Sequence, residues 1–195
     1  MAKTNGRQNN DTAERILDSA ERLVQTRGFN GFSYADIAKE LGITTASLHY
    51  HFRGKAELGK ALMSRYAQRF GEALERIDEE IPDAWDKLEA YANLYAGVLE
   101  GKRMCMCGIL AAEYPTLPRP LRSSVTRFFD ENQQWLAGVL SEGQRDGRLA
   151  FAGSADATAQ GILSTLEGAM LVARSYGDPA RFNATAHQLL AGLTA

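Results

Sequence analysis

Long hydrophobic runs are missing from this 195-residue chain. Nothing in it approaches the ~18 apolar residues that a membrane helix needs. Its start, "MAKTNGRQNN", has no apolar core, which argues against a signal peptide. Residues 1–10 read instead as a disordered basic arm. Cysteine is nearly absent. Two residues, Cys105 and Cys107, make no disulfide framework and suit a cytoplasmic protein. Strand alternation, internal repeats and low-complexity stretches are also lacking. There is no large excess of one charge: 22 Lys and Arg face 24 Asp and Glu, for a net charge of −2. That balance argues against a wholly basic nucleic-acid coat. The charge is unevenly spread, however. Residues 1–55 hold eight basic and six acidic residues, and the remainder holds 14 and 18. A slightly basic front on an acidic body fits a DNA-contacting module on a larger support.

What is present is helix. With 45% hydrophobic residues the chain can bury a sizeable core. In "DTAERILDSAERLVQTRGF", Asp11 stands three residues before Glu14 in capping-box spacing. Ile16, Ala20, Leu23 and Val24 then form one stripe. "SYADIAKELG" runs from an N-cap at Ser33 to a stop at Gly42, and "TTASLHYHF" from an N-cap at Thr44. A long helix begins near Lys55 and ends before Pro82. Five more follow, over about 83–99, 105–113, 119–146, 154–175 and from Pro179, the last with Asp178 as N-cap. The expected fold is all-α, with about nine helices. A three-helix helix-turn-helix domain over 11–55 precedes a larger helical ligand-binding and dimerisation domain over 56–195. The boundary falls at the long fourth helix, so no flexible linker separates them.

The second and third helices meet the demands of a helix-turn-helix. Ala38 is small where the helices cross, and Gly42 can take a positive φ at the turn. Ile37, Leu41, Ile43 and Leu48 supply the apolar wedge. With Leu48 and Phe52 inward, Thr45, Ser47, His49, Tyr50 and His51 remain on or near the exposed faces. Short or planar hydrogen-bonding groups of this kind suit phosphates and base edges. The helix N-terminus, Thr44 to Ser47, would face the bases. Lys55, at the start of the next helix, joins its charge to free amides and suits a phosphate. Ser33, at the start of the second helix, completes the DNA-facing set.

Three histidines in all make the pair in "LHYHF" conspicuous. At i and i+2 the two project about 200° apart on a helix, so they cannot chelate one metal. No local Ser/His/Asp set suggests nucleophilic catalysis. Tyr50 and Phe52 also have a plain packing role open to them. Neither a cofactor nor a metal is expected, and the chain is not expected to be an enzyme.

"GITTASLHYHFRGKAEL" resembles the signature of the tetracycline-repressor family of bacterial one-component regulators. That signature is a small-residue turn, then Leu-Tyr-x-His/Tyr-Phe, then x-x-Lys-x-x-Leu. The motif covers about residues 11–60, and length and helix count match over the whole chain. The resemblance implies that Tyr50, His51 and Lys55 clamp phosphates while Thr44, Thr45 and Ser47 approach bases. His49 and Ala46 depart from the commoner Tyr and Gly. It further implies a homodimer, joined through the last two helices, on a palindromic operator in double-stranded DNA. Close approach there would use Ala159, Gly161, Gly168 and Ala169, with apolar area from Ile162, Leu163, Leu166, Met170 and Leu171. Small-molecule effectors in the family sit among the central helices. Candidate lining is Trp85, Tyr91, Tyr95, Met104, Met106, Tyr114, Phe128, Trp135 and Met170, though an aromatic stripe at helical spacing also makes ordinary core.

"GKRMCMCGILAAEYP" carries both cysteines. Lys102, Arg103 and a helix N-terminus would all lower a thiol pKa. The segment resembles the Gly-Cys-Leu-x-Gly-Asn-Leu-x-x-Glu region of family members that sense electrophiles through cysteine, and aligns Cys105 with the sensing position. Arg103-Met104 and Ile109 depart from that pattern. Cysteine as a small apolar filler is the competing reading. Two ligands are too few for a soft metal, and i, i+2 positions on a helix point apart, against a mutual disulfide. Cys107 is expected to be the more buried of the two. The resemblance implies a DNA-binding regulator, a repressor released by a small molecule or a thiol modification. The alternative is a helical ligand-binding or ligand-modifying protein that keeps the fold without binding DNA.

Overall fold

The computed structural model describes residues 2–194, with side chains from residue 11. Its helices are α1 (Ala2–Arg27), α2 (Tyr34–Leu41), α3 (Thr45–His51), α4 (Lys55–Glu80), α5 (Ala84–Glu100), α6 (Met106–Ala112), α7 (Arg119–Arg145), α8 (Ala155–Tyr176) and α9 (Ala180–Ala191). A single 3-10 turn, Tyr114–Thr116, follows α6. Among the described residues the only β pairing is an isolated bridge, Leu149 to Thr194. Among the described residues no helix is long and apolar enough to cross a membrane.

Helix starts follow local chemistry. Ser33 donates its N–H and hydroxyl to the Asp36 carboxylate at the start of α2, at 2.7 and 2.6 Å. Thr44 Oγ1 accepts from the Ser47 N–H at 3.1 Å. Asp83 accepts from the N–H groups of Trp85 and Asp86. Gly42 ends α2 at φ 66°, a left-handed conformation that costs a residue with a Cβ about 1 kcal/mol or more.

Three helix starts differ from expectation. Helical backbone begins at Ala2, so Asp11 lies inside α1 and does not cap it; no proline there forbids the helix. Pro179 is the N-cap of α9, and Asp178 still caps from one residue earlier by accepting from Ala180 N–H at 3.1 Å. Cys105 is the N-cap of α6, with φ −49° and ψ 126°, rather than its first helical residue.

One continuous core runs from head to body. Ile16, Ala20, Leu23 and Val24 of α1 meet Ile37, Ala38 and Leu48 of the next two helices. The body is built on the α7–α8 and α8–α9 pairs, with α4 and α5 laid against α7. Polar ties lock the head onto this body. Arg65 on α4 donates to Glu14, Asp18 and Glu21 of α1 at 2.8–3.0 Å. Arg174 on α8 reaches the Thr26 carbonyl at 2.5 Å, and the Met104 N–H donates to the Gln25 carbonyl at 3.2 Å.

Candidate functional site

Leu48 is fully buried and Phe52 nearly so, which fixes the roll of α3. Thr45, His49 and Tyr50 consequently face outward, with Ser47 and His51 half-buried. Tyr50 is 74% exposed, unusual for a large ring, and its ring meets His51 edge-on at 5.3 Å. His49 is tied back onto the head instead of standing free. Its ring packs on Tyr34 at 4.9 Å, and its Nδ1 lies 3.2 Å from the Arg53 carbonyl. Tyr34 in turn donates to the Phe52 carbonyl at 3.0 Å, and burial, with Glu57 nearby, pushes its phenol up to about 12. Thr44 spends its hydroxyl oxygen on the cap, and Ser33 remains exposed beside Asp36.

Lys55 departs from its expected outward pose. Its ammonium donates to the Phe32 carbonyl and lies over the rings of Phe32 and Phe29, at 4.1 and 5.0 Å from their centroids. Burial lowers its pKa, partly offset by Glu113 and Asp36. The cause is steric: Phe29 and Phe32 frame a slot beside the start of α4, and the lysine stem fills it.

The second cluster is inside the body. Cys105 and Cys107 are both buried, so burial does not distinguish them as expected. Tyr66 of α4 donates to Cys105 Sγ at 3.7 Å, and Cys107 Sγ lies 3.9 Å from Met63 Sδ. Glu167 of α8 presses on α6 so closely that a Cβ on Gly108 would fall 2.2 Å from its Oε2. Neither carboxyl oxygen has a hydrogen-bond partner, and both are buried. Burial and the Cys105 thiol push the Glu167 carboxyl well up. Burial alone would raise Cys105 too, but the Cys107 thiol, the Glu167 carboxyl, the Gly108 N–H and the Tyr66 hydroxyl outweigh it and bring it down. Burial and the Cys105 sulfur push Cys107 well up. The activating groups are therefore not the expected cations: Arg103 turns to Gln25 Oε1 at 3.4 Å, and Lys102 is exposed. Cys105 is the N-cap of α6 and not one of its helical residues, so the i, i+2 spacing of two helical positions does not describe the pair.

The aromatic candidates divide. Tyr91, Tyr95, Phe128, Met104 and Met170 are buried. Tyr91 and Tyr95 share a hydroxyl–hydroxyl bond of 2.9 Å, and Tyr91 donates to Asn132 Oδ1 at 3.1 Å. Phe70 stands edge-on to Tyr91, Tyr95 and Phe128. Trp135 stacks on Tyr91 at 5.5 Å. Trp85 instead lines a separate cleft of about 210 Å³ against α9, and Tyr114 is exposed under Arg122. A cleft of about 280 Å³ between α4 and α7 ends on Met63 and Phe128, which touch the sulfur cluster and the aromatic core. Among the described residues no His/Cys/Asp/Glu group could hold a metal.

Residues 16–62 match the family model described as bacterial regulatory proteins, tetR family. Residues 84–189 match the tetracyclin repressor-like C-terminal domain. The chain belongs to the tetR family. It is accordingly a ligand-responsive, DNA-binding transcription regulator and not an enzyme. Among tetR-family relatives, the transcriptional repressor NemR of Escherichia coli is 29% identical over 194 residues, covering 91% of this chain and 92% of NemR. The crystal structure of a TetR-family regulator from Agrobacterium tumefaciens superimposes with TM-score 0.93 at 36% identity, covering 96% of this chain and all of that one. The structure of reduced E. coli NemR gives TM-score 0.84 at 22% identity, covering 94% and 97%, a likeness of fold.

In this tetR-family body the face expected to join two copies is mostly used inside one. Ala159, Ile162, Leu163, Leu166, Ala169 and Met170 are buried within the chain, because α8 sits between α7 and α9. The free face of α8 carries Gly161 and Gly168, where an added Cβ meets nothing, with Leu171 and Val172 about half exposed and Tyr176 65% exposed. Tyr66, Phe70 and Glu167 were missed from the sequence. Glu167 had a legible signal: it interrupts an apolar face four residues after Leu163 and three before Met170.

Proposed function

We propose that this regulator is a repressor that leaves its operator when Cys105 is modified by an electrophile. The observation that carries the reading is how α6 is held. Cys105 caps its first turn, and at its other end Glu113 accepts from the Phe29 N–H at 2.6 Å and the Asn30 N–H at 3.3 Å. Those amides form the corner between α1 and α2. With the Met104–Gln25 bond, both ends of α6 grip the base of the DNA-binding head. The backbone of α6 lies against α1 and α7, and its cysteine end meets Tyr66 and Met63 of α4. An adduct on Cys105 cannot fit its dry pocket, so α6 must shift, and the α1–α2 corner shifts with it. The cleft ending at Met63 and Phe128 gives a small molecule its approach, and the aromatic core around Tyr91 and Tyr95 its apolar wall.

At the operator, Thr45 and Ser47 read bases and Tyr50 and His51 hold phosphates, with Thr44 and Ser33 framing the helix starts. Lys55 swings from its slot to a phosphate beside the open N-terminus of α4. Two copies join through the free face of α8, together with α9, so that two α3 helices meet grooves about 34–36 Å apart. A relative named as a repressor and crystallised in a reduced form favours repression and thiol chemistry.

The test treats wild type, Cys105→Ser and Cys107→Ser with a thiol reagent and measures binding to the upstream DNA. Wild type and Cys107→Ser should release it, and Cys105→Ser should stay bound. Release of Cys105→Ser as readily as wild type would remove the thiol from the mechanism. Absence of any binding at low salt would remove the DNA reading.

A further inference from the structure

The buried carboxyl of Glu167 has no ordinary reason to be where it is. A carboxyl withdrawn from water without a partner is strongly disfavoured. Here both oxygens are buried and unpartnered, and the side chain is wedged against Gly108, where a Cβ would not fit. Gly108 is the third residue of a helix whose N-cap is Cys105. The carboxyl therefore lies against the first turn of α6, the turn that Cys105 precedes.

We propose that Glu167 is the proton partner of Cys105: it takes the thiol proton, leaves the sulfur as thiolate, and returns the proton once the sulfur has reacted. The proposal rests on the reading of Cys105 as the modified thiol and adds the group that arms it. The titratable groups around the sulfur are few. Tyr66 donates to it from α4, and Cys107 on α6 and Glu167 on α8 bear on its ionisation. Tyr91 and Tyr95 on α5 stand behind them. Arg103, the nearest cation in sequence, is engaged with Gln25 on α1, and α7 presents apolar Leu121, Val125 and Phe128. A thiolate here is held by hydrogen-bond donors and by the transfer of its proton, not by a counter-charge.

With an electron-poor alkene the step balances. The S–H proton passes to a Glu167 oxygen. The sulfur lone pair forms an S–C bond to the β-carbon, and the alkene π pair moves to the α-carbon. That carbon takes the proton back from Glu167. One S–H bond is exchanged for one S–C and one C–H bond, with no oxidant. Afterwards the buried Glu167 carboxyl recovers a proton from solvent, as its raised pKa requires.

The test uses uncharged N-ethylmaleimide on the full chain, compared with the same chain carrying Glu167→Gln or Glu167→Asp, with the alkylated cysteine identified by peptide mass. Alkylation of Cys105 is followed by mass spectrometry across pH, and thiolate by its ultraviolet absorbance. Glu167→Gln should slow alkylation at neutral pH at least tenfold, move the midpoint of the pH profile upward, and remove the thiolate absorbance. Glu167→Asp should restore part of each. An unchanged midpoint, with the rate unchanged or equally lowered at every pH, overturns the proposal, because a packing role would act alike on all protonation states. If Glu167→Gln does not fold, infrared difference spectra of the parent decide. A protonated-carboxyl band that changes when Cys105 is alkylated supports the proposal, and no such band overturns it. Operator binding of the alkylated parent is read in parallel. Retention on DNA would refute thiol-triggered release while leaving the proton pairing intact.

Discussion

The outer face of α3 and the cluster around Cys105 hold similar numbers of polar groups and dispose of them in opposite ways. On α3, Thr45, Ser47, Tyr50 and His51 are kept in or near water, and what shapes them is one buried leucine beneath. Around Cys105, a phenol, two thiols and a carboxyl are withdrawn from water and must satisfy one another. The first arrangement leaves hydrogen-bonding groups turned toward solvent over a buried apolar support. The second couples its members, because away from water the proton of each group changes the energy of its neighbours.

The largest test of this contrast removes the support under the surface. Leu48→Ala deletes a fully buried side chain at the α2–α3 crossing and should cost about 2–5 kcal/mol. Denaturant unfolding should show the loss, and DNA binding should fall with it. Normal stability in this variant would mean that α3 is not held by the core.

A smaller effect is expected at Lys55, where the two modes of disposal meet. Lys55→Ala gives up the Phe32 carbonyl bond and the ring contacts, worth about 0.5–1 kcal/mol at a partly exposed site. It should also reduce the slope of log affinity against log salt by about 1, as loss of one phosphate contact does. Anisotropy titrations at several salt concentrations read this. An unchanged slope would place the lysine permanently in its slot and leave the phosphate to the α4 amides.

The smallest effect is expected at Asp36, which is fully exposed. The Ser33 hydroxyl and N–H hold its carboxyl below the usual range. A carboxylate whose folded pKa is depressed stabilises the fold above its unfolded value, and that contribution is lost as pH falls through the folded one. Asp36→Asn should therefore melt below wild type at neutral pH, and the gap should close below about pH 4. A gap independent of pH would show that the cap does not depend on the charge.

The DNA-binding head was legible because its determinants are local. Ser33, Ala38, Gly42, Thr44 and Leu48 lie within sixteen residues, and their spacing specifies caps, turn and wedge without reference to the rest of the chain. The α8 face was read less well: periodicity identified the apolar residues, but not which neighbour would cover them. Packing between α7 and α9 consumed Ile162, Leu166 and Met170 and left Leu171 and Val172 outside. Lys55 likewise had the expected place and not the expected direction, because Phe29 and Phe32 became its neighbours only on folding.

The sequence by itself determined an all-helical chain with a helix-turn-helix at its front, since helix periodicity, capping residues and a glycine turn act over a few residues. It also placed two cysteines at the mouth of a short helix. Only the tertiary structure decided what those cysteines meet. Cys105 and Glu167 are 62 residues apart and share no local signal. Glu167 reaches the first turn of α6 because Gly108 leaves room for it, and burial removes the water that would otherwise have satisfied each group alone.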